Sequence, residues 1–258
     1  MKNFGMKAIA VALLAMGMVA CEEDQPTPDN PQPTTTGDVN IEFDYIWGMG
    51  NNPFELGQTY VHPMSGDTLT FSMLRHYVSN IRLERTDGTY WTHEESYFLV
   101  DFSDPESRIL TIEGVPTGDY QSVEITFGVD STRNVSGAQV GALDPANGMF
   151  WSWNSGYIMI KAEGTSPNSP SGAFAYHLGG FSGDNNAVTT RNLDFPGGAL
   201  VSVSPSATPT IHCLANPARL FHSYGSVSNG PMIHMPNAAA AQMAQDFNTW
   251  VKVDHIHR

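Results

Sequence analysis

From Val39 to Leu214, short runs of alternating apolar and polar residues recur roughly every eight to fifteen residues, and clusters of Gly, Pro, Asn or Asp separate them. Alternation with period two buries one face of an extended segment and wets the other, so a chain written this way builds sheets. Val39 to Tyr45 (VNIEFDY), Thr68 to Phe71, Tyr77 to Arg85 (YVSNIRLER), Ser96 to Phe102 (SYFLVDF), Ser107 to Glu113 and Tyr120 to Val129 fit the pattern. So do Gly156 to Glu163, Ala173 to Leu178, Val188 to Phe195, Ala199 to Ser204 and Thr210 to Leu214. The expectation is an all-β chain folded as an antiparallel β-sandwich. Pro236 to Val251 departs from it. Four consecutive alanines, then Met243, Phe247 and Trp250 near helical spacing, with Asn237 as a cap, predict one short C-terminal helix.

The N-terminus bounds the compartment. Lys2 and Lys7 flank an apolar run, Ala8 to Ala20, that stops at Cys21 after Met18-Val19-Ala20. Residues 1–20 read as a lipoprotein signal peptide and Cys21 as its lipidated first mature residue, because about thirteen apolar residues are too few to span a bilayer. Residues 21–38 are rich in Pro, Thr, Asn and Asp and lack aliphatic side chains, which predicts a disordered tether, with one folded domain over 39–258. The expected location is the cell envelope, as an outer-membrane or periplasm-facing lipoprotein attached to the membrane through Cys21. Loss of Lys2 and Lys7 leaves ten of the twelve basic residues against 26 acidic ones, about −16 with histidine neutral, which disfavours nucleic acid. Only Cys213 then remains, so neither an internal disulfide nor a cysteine zinc site is available.

Aromatic density peaks between Gly128 and Gly164, where Trp151 and Trp153 stand two apart and share one face of a strand. Such a pair is either a buried anchor or a platform on which a glycan or peptide stacks. Among the nine histidines, His255 and His257 also lie two apart, and His177 closes an apolar strand just before Gly179-Gly180, a glycine pair that lets other backbone approach. Trp91-Thr92-His93 places an indole and an imidazole on one strand face. His62, His76, His212, His222 and His234 have no neighbour in sequence that suggests ligation and default to structural or solvated roles. There is no G-x-S-x-G elbow, phosphate-binding glycine loop, H-E-x-x-H or C-x-x-C-H, so neither an enzyme nor a haem of the chain's own is expected.

Taken in order, NNPFELGQTY, LRHYVSNIRLERTDG, ESYFLVD, VPTGDY, GVDSTRN, GALDPANGMFWSWNSGY, FAYHLGGF and VDHIH resemble the MbnP-like copper-binding family, in the form that carries a lipoprotein signal. The resemblance implies an extracytoplasmic β-sandwich that holds one copper ion with histidine nitrogens. It also implies a partner similar to di-haem cytochrome c peroxidases, which in some relatives oxidises a tryptophan to kynurenine. By motif, His177, His255 and His257 are the implied metal residues, with His93 weaker. Trp151, Trp153 and Trp91 are the implied oxidisable or wall tryptophans. Two positions depart from the methanotroph form: Asn134 is followed by Val135 where that form has histidine, and Trp153 by Asn154-Ser155-Gly156-Tyr157 where it has Gln-Gly-Tyr-Lys. The competing expectation is a metal-free cell-surface module that uses Trp151 and Trp153 to bind a glycan or peptide.

Overall fold

Val39, Ile41, Phe43, Tyr45 and Trp47 are buried and the residues between them are not, so the first alternating run becomes one strand with an inner and an outer row. The computed structural model describes residues 35–137, 139–152 and 155–258. The signal, Cys21, most of the tether and Trp153 lie outside the described residues.

The strands are β1 (Thr36–Trp47), β2 (Asn52–Pro53), β3 (Thr59–Val61), β4 (Thr68–Arg85), β5 (Tyr90–Thr92), β6 (Tyr97–Asp101), β7 (Ile109–Pro116) and β8 (Gly118–Phe127). After α1 (Ser131–Val135) come β9 (Phe150–Ser152), β10 (Gly156–Thr165), β11 (Ala173–Gly179), β12 (Thr189–Asp194), β13 (Val201–Val203), β14 (Thr210–Ala215) and β15 (Met232–Ile233). Helix α2 (Ala238–Trp250) and β16 (Lys252–His257) close the chain.

The fold is all-β, as expected. A small sheet runs β16-β14-β1-β2, with β7 on the other side of β1. A large sheet runs β12-β8-β4-β10-β11-β15, with β13 on β8, β9 on β10, and β3, β5 and β6 on β4. Phe43 of the small sheet meets Phe127 and His76 of the large one edge to face, so the two inner faces share a core.

Three details differ from the sequence reading. β1 starts at Thr36, inside the stretch read as tether, because Thr36 and Gly37 pair with Pro116 and Val115 of β7. β1 pairs β14 in parallel, as β11 does β15, so the sandwich is not wholly antiparallel. Thr68 to Phe71 and Tyr77 to Arg85 are one strand. Its register shifts beside the Glu163/Gly164 step of β10 and again between Ser79 and Arg82, where Asn80 takes a φ of 50°. Each shift re-phases the alternation, and so the strand reads as two pieces.

Helix α2 begins where Asn237 Oδ1 accepts the Ala240 amide, and it sends Ala240, Met243, Ala244 and Phe247 into the core. At its other end the Arg191 guanidinium donates to the Asn248 and Val251 carbonyls at 3.2 and 2.6 Å, which fixes the turn into β16.

Within the core, His76 Nε2 lies 2.7 Å from the Tyr45 hydroxyl and links the two sheets. Burial pushes the His76 pKa down to about 4 and pushes the Tyr45 hydroxyl up. Between an unfolded value of about 6.5 and the folded value, the unfolded chain binds a proton that the native chain refuses. Stability is therefore full above pH 6.5 or so and declines as pH falls toward about 4, by on the order of 3 kcal/mol from this group. Thermal melts between pH 7 and 4 should show that decline. His76→Phe should be less stable at pH 7 but flatter across the window; an equally steep profile would remove His76 as the cause.

Candidate metal centre

β11 carries Phe174, Tyr176 and Leu178 on its buried row and Ala175 and His177 on its outer row. Its partner on the outer edge is β15, in parallel register, with Ala175 opposite Met232 and Tyr176 opposite Ile233. One step further along the same ladder, His234 comes beside His177. The two Nδ1 atoms are 3.2 Å apart and the rings meet edge to face at 4.7 Å.

On its other side, His177 Nε2 is 2.7 Å from Glu163 Oε1 of β10, the strand that pairs with β11. A carboxylate accepting from Nε2–H leaves His177 Nδ1 as a lone pair facing His234. The Met232 thioether lies 3.4 Å from His234 Nε2. Met232 is half exposed and the neighbouring Met235 more so.

Burial lowers the His177 pKa; the Glu163 hydrogen bond opposes this, while Lys161 and His234 add to it. For Glu163, burial acts upward, but the His177 hydrogen bond and the Lys161 charge outweigh it and the carboxyl ends below its usual range. The result is an uncharged imidazole held by an ionised carboxylate. That state suits metal ligation, which requires an unprotonated nitrogen.

Trp151 packs against the C-terminal end of β11. A Cβ at Gly179 would sit 2.6 Å from the Trp151 indole and 2.7 Å from the Tyr157 carbonyl, so the indole rests where residue 179 has no side chain. A Cβ at Gly180 would meet the Asn185 carbonyl at 1.9 Å, so both glycines of the FAYHLGG segment serve close approach. Gly179 is two residues beyond His177 on β11. Asn134 ties the preceding loop to this hairpin: its side chain donates to the Val129 and Asp130 carbonyls and accepts the Tyr157 amide. Val135, where the methanotroph form has histidine, is exposed.

His255 and His257 are on β16, in the small sheet, and have no contact with His177 among the described residues. His255 instead stacks on His212 at 4.2 Å, and His212 Nδ1 lies 3.2 Å from Asp44 Oδ2 and 3.8 Å from Glu42 Oε2. Glu42, Asp44 and His212 form a group of potential ligands whose atoms lie within 4.8 Å of one another. His93 meets Trp91 edge to face at 5.8 Å and joins no other histidine among the described residues.

His212 and His234 are the histidines that sequence reasoning set aside and the fold brings into contact. His234 did carry a local signal, since the run Pro231-Met232-Ile233-His234-Met235 flanks an imidazole with thioethers. His212 carried none, because its partners come from β1 and β16.

The MbnP family model matches residues 36–236. Among solved structures, the chain is similar to MbnP from Methylosinus trichosporium, at 16% identity and a TM-score of 0.49, over 75% of this chain and 80% of that one. No curated protein sequence matches it.

Replacing Glu163 removes a contact that raises the His177 pKa while leaving the burial that lowers it. NMR titration of the imidazole should therefore place the His177 pKa lower in Glu163→Gln than in the parent chain. An unchanged or higher value would show that this carboxylate does not orient the ring.

Proposed function

The chain belongs to the MbnP family, and from that premise we propose that it is a lipid-anchored, extracytoplasmic copper-binding protein that stores, acquires or delivers the ion and holds it between His177 and His234. The observation that carries this reading is the 3.2 Å separation of the two Nδ1 atoms. Two imidazole nitrogens on one ion, each at about 2.0 Å, stand about 3 Å apart, so these rings fit a shared cation without rebuilding the strands. Imidazole with thioether nearby suits copper, the reduced ion in particular.

Each residue has a separate task. His177 and His234 supply nitrogens. Glu163 fixes the His177 tautomer, and the exposed Met232, whose thioether touches His234 Nε2, offers a soft donor where copper enters and leaves. Trp151, which rests on Gly179 two residues beyond His177, is assigned the part of a wall. Under the same reading a di-haem peroxidase-like partner oxidises Trp151 or Trp153, and Cys21 supplies the membrane anchor.

The full chain, titrated with copper under reducing conditions against a competing copper(I) chelator, should retain about one equivalent. His177→Ala and His234→Ala should each abolish chelator-resistant binding, and Glu163→Gln should weaken it by about 10- to 100-fold. Undiminished binding in His234→Ala would sink the assignment.

A further inference from the structure

The outer face of the small sheet carries a second set of ligand side chains, built by strand pairing alone. Glu42 and Asp44 are two apart on β1, whose inner row is buried, so both point outward. His212 of β14 stands opposite Glu42 in the parallel ladder, and His255 of β16 stands opposite His212. The outward position of His255 depends on a bulge. Cys213 pairs with Val253 and His212 with His255, so Asp254 is the extra residue and the alternation of β16 reverses across it. Without that bulge His255 would share the row of Val253, which faces the core.

We infer that Glu42, Asp44 and His212 form a second metal site, for a divalent first-row cation of the zinc class, with His255 as a further donor. One ligand atom from each of the first three lies within 4.8 Å of the others, and His212 Nδ1 approaches both carboxylates. The two carboxylates have His212 as their only ion-pair partner among the described residues. A cation with two positive charges neutralises what one imidazole cannot.

Carboxylate oxygens disfavour copper(I), and the imidazole disfavours calcium and magnesium, which leaves zinc-like divalent ions. The rings of His212 and His255 are nearly parallel, 9° apart, so their lone pairs do not converge on one point as they stand. The His255 side chain is 56% exposed, and its Nδ1 lies 3.0 Å from Asp254 Oδ2, so it joins the carboxylates only by turning from that contact. His257, with its ring 6.2 Å from that of His212, lines the same face. The family match ends at 236, so β16 and its two histidines are contributed by chain beyond it.

The test does not depend on the copper reading. The full chain carrying His177→Ala and His234→Ala, which disables the other cluster, is dialysed against Zn²⁺ and should retain about one equivalent. Adding His212→Ala, or separately Asp44→Asn, should remove it. Asp44→Asn is nearly isosteric at an outer position, so far-UV circular dichroism should be unchanged while zinc is lost. Retention of the equivalent by either variant, or its absence from the parent, overturns the site. Excess Ca²⁺ should not displace the zinc, and full displacement would likewise overturn an imidazole-dependent site.

Discussion

A strand that buries one row of side chains must present the other, and both ligand clusters proposed above sit on or beside that second row. β1 puts Val39, Ile41 and Phe43 into the core and thereby turns Glu42 and Asp44 outward. β11 does the same with Phe174, Tyr176 and Leu178, which leaves His177 on the other face. Both clusters are therefore held by the same burial that holds the sandwich together. The supporting strands are also what makes the ligand positions specific, because a one-residue slip in β11 or β14 would carry the histidine inward.

Bulges provide the exceptions this rule needs. In β4 they let one strand serve β10 and β6 with one half and β8 and β5 with the other, with Asn80 absorbing part of the change in direction. In β16 a single extra residue lets Val253 stay in the core while His255 joins His212 outside. The Arg191 guanidinium, which caps the end of α2, sets where β16 begins and so feeds into that register.

The two clusters differ in what surrounds the imidazoles. At His177 the carboxylate contacts the nitrogen remote from His234 and acts on tautomer and orientation, and the Met232 thioether likewise lies against the remote nitrogen of His234. At His212 both carboxylates crowd the same nitrogen and are themselves donors. A soft, low-charge ion suits the first set and a harder divalent ion the second. Cys213, the one free thiol among the described residues, competes with neither. It lies on the buried row of β14, where burial pushes its pKa up to about 12.

The sequence by itself determined the all-β class, the single long helix among the described residues, the family, and the close approach at the Gly179-Gly180 pair. These are written in neighbours a few residues apart: alternation, an Asn cap, a glycine pair that lets other backbone approach. Tertiary structure alone decided which histidines meet. His234 reaches His177 across 57 residues of chain through the β11–β15 ladder, and His212 reaches Asp44 across 168 through the parallel β1–β14 pairing. No local pattern encodes a parallel register between distant strands, because that register follows from how two whole sheets close over one core.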